Sequence, residues 1–291
     1  MAGLACGLWI VIAAAAMAGA VALPGTAIAQ QGKAPGQTTK QSPAKQSVVR
    51  QAPPKAKTVT GSLAVPQPVA GADVPDGQPR DPRIFYYRQL ALIHGHLLVG
   101  HELVQEDRWQ DARPHFLHPI EALYAQLVPY LKAQSIASFD AHLKTLAQAV
   151  KVRNKDAYDA ARLFVQIRLE RALDGARKFM TPMRSFTLRT IVEVMKVAQS
   201  EYEGAVEDGK IGKPMAYQDG YGFVHYAHQM FETIAPDLEN ADRRSVDELR
   251  WAFVELKTAW PTPMPPEAAA MTAQAIAVRV TRIAELAAKL E

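Results

Sequence analysis

Seven of the eight histidines of this 291-residue chain fall in three short stretches: His94, His96 and His101; His115 and His118; and His225 and His228. Imidazole nitrogen ligates iron, copper and zinc, and carboxylates stand close by. His118 and Glu121 are three residues apart. His225, His228 and Glu232 fall at i, i+3 and i+7. On a helix each of these sets shares one face. His94 and His101 lie two turns apart on the stripe marked by Leu90, Leu97 and Val104, while His96 points to another face of the same helix. Histidines and carboxylates brought together from facing helices are how bundles build metal centres. The candidate ligands are therefore His118 and Glu121, joined by His94, His101 or His115, with His225, His228 and Glu232 as a second cluster. A competing assignment makes each of them a core side chain bonded to tyrosine, carboxylate or backbone, as buried polar groups must be. His118-Pro119-Ile120-Glu121 also has the form of a helix start, with proline at its first position and the carboxylate folding back on free amides.

Other chemistries are excluded more firmly. The single cysteine, Cys6, lies in an N-terminal apolar segment. The remainder of the chain has no disulfide, thiolate ligand, haem-attachment motif or cysteine nucleophile. His101-Glu102 is not followed by a second histidine at the zinc-protease spacing. There is no phosphate loop, dinucleotide fingerprint or nucleophile elbow. Tyr86, Tyr87, Tyr202, Tyr221 and Tyr226 are available as supporting hydrogen-bond donors.

The elements that must position these residues begin late in the chain. Leu8–Leu23 is a short apolar run ending at Pro24-Gly25 and followed by Ala27-Ile28-Ala29, the form of a signal peptide over residues 1–29. Retention of the run as an N-terminal anchor is the weaker alternative. Residues 30–80, rich in Gln, Pro, Ala and Lys, form a linker expected to be disordered. It holds seven basic residues against Asp73 and Asp76, a net of +5 in a chain of +4 overall, which leaves residues 81–291 at −1. The basic character thus belongs to the linker, which could touch an envelope protein or an anionic surface. A near-neutral folded part argues against nucleic-acid binding.

From Ile84 onward apolar residues recur at helical spacing. Helices are predicted at about 84–106, 114–132, 137–151, 155–179, 184–208, 217–238, 243–259 and 265–290. Four stretches recur in order at an offset of about 107 to 111: Val104–Trp109 with Val206–Ile211, Pro114–Tyr124 with Phe223–Ile234, Asp140–Val150 with Asp247–Lys257, and Asp156–Leu173 with Glu267–Leu286. The expectation is an all-α fold of two tandem four-helix up-down units, 81–181 and 182–291, arising by internal duplication.

An exported chain with two four-helix units, carrying Phe116-Leu117-His118-Pro119-Ile120-Glu121, resembles the imelysin-like periplasmic proteins. These carry Gly-x-His-x-x-Glu on a helix. His118 and Glu121 match, and Phe116 stands where the glycine would be. The resemblance implies a metal site on His118 and Glu121, and a peptidase activity as one outcome. The leading expectation is a periplasmic, non-enzymatic metal-binding protein, for iron first and copper or zinc second. A metal-free envelope scaffold or interaction module is the alternative, and an imelysin-like metallopeptidase a second one.

Overall fold

A computed structural model describes residues 78–291. The signal-peptide and linker expectations therefore lie outside the described residues, save for residues 78–80. The described chain is all-α. Helix α1 spans Pro82–Gln105, α2 Trp109–His118, α3 Tyr124–Ala133, α4 Asp140–Lys151, α5 Lys155–Arg177, α6 Met183–Ala205, α7 Pro214–Lys257 and α8 Ala273–Leu290. A π-helical turn, Pro119–Leu123, joins α2 to α3 in one bent rod. Helix α7 bends at Asp242, whose backbone leaves the helical region (φ −153°, ψ 81°).

Local chemistry accounts for most boundaries. Asp81 Oδ1 accepts from the Arg83 amide at 2.8 Å and Pro82 occupies the first turn of α1, where a missing N–H costs nothing. Asn154 caps α5 through the Ala157 amide (2.9 Å) and Thr272 caps α8 through the Ala275 amide (3.1 Å). Asp242 Oδ1 accepts from the Ser245 amide at 3.0 Å and restarts α7 beyond its bend. Pro119 has no N–H to give the His115 carbonyl four residues before it. The ladder widens there, and the Tyr124 amide reaches back five residues to the Pro119 carbonyl.

Three expectations differ from what is observed. The second helix begins at Trp109 and carries Pro114 within it. The last begins at Ala273, because Pro261, Pro263, Pro265 and Pro266 keep the preceding segment irregular. Residues 206–211, expected as the end of a helix, form a two-stranded antiparallel hairpin pairing Val206 with Ile211. Its turn is Asp208-Gly209, both at positive φ (50° and 74°), the conformation that asparagine, aspartate and glycine adopt most readily.

Helix α1 lies between α2, α6 and α7, so it is buried nearly all round, from Ile84 through Val104. Helix α8 covers α6 and α7, and α4 packs on α2 and α5. One hydrophobic core runs through all of these helices. The tightest crossing is between α1 and α7. A Cβ placed on Gly222 would lie 2.2 Å from the Gly95 carbonyl oxygen. Two other glycines receive aromatic rings: a Cβ on Gly100 would meet Phe116 at 2.7 Å, and one on Gly220 would meet Trp260 at 2.9 Å.

Gly222→Ala is expected to destabilise the protein by about 1–3 kcal/mol or more, since backbone must move to admit the methyl group. Gly204→Ala, in α6 with nothing within 4 Å of its Cβ position, should stabilise by up to about 1 kcal/mol. Urea unfolding of both variants checks the pair, and equal midpoints would refute the close-crossing account.

Candidate metal centre

The α1–α7 crossing places His96, next to Gly95, against Asp219, one turn before Gly222. The Phe116 ring, seated on Gly100, holds α2 so that His115 reaches the same point. Asp219 Oδ1 lies 2.8 Å from His96 Nδ1 and 2.8 Å from His115 Nδ1. One donor atom from each of these three side chains lies within 4.8 Å of the others. All three residues are buried, at 2%, 0% and 4% exposure.

His115 Nε2 faces the side-chain oxygen of Gln218 at 3.1 Å, while the Gln218 amide nitrogen points to Met264 Sδ at 3.6 Å. A neutral imidazole carries one N–H. His115 Nδ1 also lies within hydrogen-bond distance of Asp219 Oδ1, and its tautomer sets which of the two contacts it donates to. His96 Nδ1, though equally close to that oxygen, makes no hydrogen bond of acceptable geometry. Two nitrogens crowd one carboxylate oxygen and one of them, His96 Nδ1, is left without a hydrogen bond, an arrangement a cation would relieve. At metal–ligand distances of about 2.0–2.2 Å, neighbouring ligand atoms sit roughly 3 Å apart, so the separations fit.

Electrostatics agree. Burial pushes His96 down, towards its neutral form, against the pull of Asp219. Burial favours the protonated form of Asp219, yet the imidazoles of His96 and His115 outweigh it and hold the carboxyl well below its usual range. The half-buried Glu201 on α6 is pushed up to about 7, first by burial and then by the Asp219 charge. It is the further carboxylate whose field reaches the cluster. The His118 ring stacks on His96 at 4.7 Å between centroids, and Phe223 meets His96 edge-on at 5.0 Å.

Of the residues nominated from sequence, the fold brings His115 into this cluster and His118 to its border. The others lie apart. His94 stacks on Tyr226 at 4.6 Å, and His101 Nδ1 meets the Tyr158 hydroxyl at 2.8 Å. Glu121 is exposed on the π-turn. His225 stacks on Tyr221 at 4.1 Å. His228 lies 2.9 Å from Lys257 Nζ and 3.2 Å from Glu232, whose carboxylate also pairs with Arg250. His96 and Asp219 were not nominated. His96 was set on a different face from the apolar stripe, but that face of α1 packs against α2 and α7. Asp219 sits in Tyr217-Gln218-Asp219-Gly220-Tyr221-Gly222, where an acid among aromatic and glycine residues at a helix start was the available signal.

Residues 180–291 match the family model of the iron permease-associated 4-helix bundle domain. This segment runs from the end of the α5–α6 connection through α8 and is less than half of the chain. No curated protein and no solved structure matches. The match overturns the resemblance to imelysin-like proteins, which rested on two residues of α2 and the adjoining turn, outside the matched segment. It also corrects the periplasmic location, because the matched domain is described by its association with an iron permease, a membrane protein. Among the described residues no helix is long and apolar enough to cross a membrane.

Burial, foremost, pushes His94, His101 and His228 down to about 4 and His225 to about 3. The unfolded chain binds those protons near pH 6.5 and the folded chain does not, so unfolding takes up protons across this range and stability falls on acidification. Glu201 opposes this: its raised pKa contributes stability at low pH that is lost as pH rises through about 7. Glu102, also raised by burial, acts in the same direction, and four imidazoles outweigh these two carboxyls. The urea midpoint of metal-free protein should drop between pH 7 and 5, and His225→Gln should shallow the slope. A flat profile would contradict the neutral buried imidazoles.

Proposed function

We propose that this chain binds iron at a buried centre formed by His96, His115 and Asp219, and that it serves an iron permease by handling the permease's substrate ion. The convergence of three ligand atoms in a buried site, with His96 Nδ1 left without a hydrogen bond, carries the reading. The match of residues 180–291 to an iron permease-associated domain supports iron over copper or zinc. Within the centre each side chain has a separate task. Asp219 supplies the anionic oxygen. His96 and His115 supply neutral nitrogen, and Gln218 fixes which nitrogen of His115 is free by accepting from the other. Glu201 adds negative field beside the site. The nearly neutral folded part needs no broad acidic surface, since its attraction for a cation is concentrated in these few groups.

Residues 81–181 and 182–291 are read here as two four-helix units related by duplication. The first contributes α1, the α2–α3 rod, α4 and α5. The second contributes α6, the two arms of α7, and α8. On this division His96 and His115 come from one unit and Asp219, Gln218 and Glu201 from the other, so the ion binds between them and both are required.

Calorimetric and elemental analysis of the full chain titrated with iron should show about one ion bound per chain. Gln218→Leu should weaken binding about 10–100-fold and Asp219→Asn by more. Glu121→Gln, at an exposed site, should leave it unchanged. Iron binding that survives both Asp219→Asn and His115→Ala would place the ion elsewhere and refute the assignment.

A further inference from the structure

Two imidazoles and one carboxylate, drawn from three helices, match the donor set that favours ferrous iron with coordination positions left open. Resting on the iron-centre reading above, we propose that the site takes iron as the ferrous ion, held by His96, His115 and Asp219, with its remaining positions available to water or another small ligand.

Charge decides between the two oxidation states. The three side chains bring one negative charge between them. A ferrous ion then leaves the buried centre at +1 and a ferric ion at +2. The surroundings include Phe223 edge-on to His96 and Phe116 beside His115, a setting in which each unit of uncompensated charge is costly.

Ferric iron also prefers hard anionic oxygen, and phenolate would be the natural extra donor on α7. Both candidates are otherwise engaged. The Tyr217 hydroxyl donates to the Thr262 carbonyl at 3.1 Å, and the Tyr221 hydroxyl donates to Glu102 Oε2 at 2.5 Å. The donors left to the ion are mostly neutral nitrogen, which suits the softer ferrous state.

The full chain is titrated anaerobically with ferrous sulfate and, separately, with ferric nitrilotriacetate, and the ferrous sample is then exposed to nitric oxide. The expected result is ferrous binding at least tenfold tighter than ferric, with the high-spin ferrous-nitrosyl EPR signal appearing in wild type and lost in Asp219→Asn. Circular dichroism checks that this variant folds, and His96→Gln serves as the second variant. Ferric binding as tight as ferrous, lost in the same variants, would overturn the ferrous assignment and leave the iron centre standing. Ferrous binding without a nitrosyl signal would overturn the open positions. Absence of binding by iron in either state would overturn the centre itself.

Discussion

Everything in the polar centre follows from the contact between Gly95 on α1 and Gly222 on α7. Helices normally pack with axes 8–10 Å apart, a distance set by the side chains between them. Here no side chain intervenes, and a single methyl group on Gly222 would run into the Gly95 carbonyl. That closeness brings His96 and Asp219 into direct contact, although the residues are 123 positions apart in the chain. Two further glycine contacts finish the placement. Phe116 on Gly100 fixes α2 against α1 and so sets the reach of His115. Trp260 lies on Gly220, and its indole N–H donates to the Tyr217 carbonyl at 3.0 Å, which pins the start of α7 from the segment beyond its far end. Four glycines, in three contacts, thus determine where three polar side chains meet.

The cost of this arrangement explains its direction. A buried carboxylate needs compensation, and Asp219 has two imidazoles and no Lys or Arg partner among its ion pairs. Burial discourages the protonation of His96 that would supply part of the missing charge. Replacing all three with apolar residues would relieve the conflict, and buried ionic groups are often dispensable for stability. A cation resolves it without replacing anything. The ordinary salt bridges elsewhere show the contrast: Arg250 is shared among Glu232, Glu239 and Asp247 near the surface, where each charge has a partner and solvent besides.

The pattern of helices was legible because apolar periodicity and capping chemistry both act locally. Asn154 marks a boundary that needs no tertiary information, whereas the last helix, expected from 265, starts only after its cap at Thr272, and Pro114, expected as a helix start, lies inside α2. The hairpin at 206–211 was legible too, in its Asp208-Gly209 turn, but helical periodicity on both sides masked it. The centre was harder to read for a different reason. His225, His228 and Glu232 share a helix face by spacing, yet Lys257 meets His228, Arg250 pairs with Glu232, and His225 stacks on Tyr221 instead. His96 was discounted because one apolar stripe was taken as the only buried face of α1. His94, Leu97 and His101, all on that stripe, lie on the less buried side of α1, and His96 lies on the side packed against α2 and α7. Ligand sets built across helices depend on interhelical crossings, and the signal for the crossing lay in glycines rather than in histidines.

The division of donors between the two halves bears on how such a centre could arise. The matched segment, 180–291, contains Asp219, Gln218 and Glu201 but neither imidazole of the cluster. A lone unit of this kind would offer oxygen donors and a gap. Helices α1 and α2 fill the gap with His96 and His115, at the glycine crossing where the halves approach most closely. An ion bound there joins helices of both halves, so its affinity includes any free energy of holding them together. Any change that loosens the Gly95–Gly222 contact must then weaken the ion's hold without touching one of its ligands.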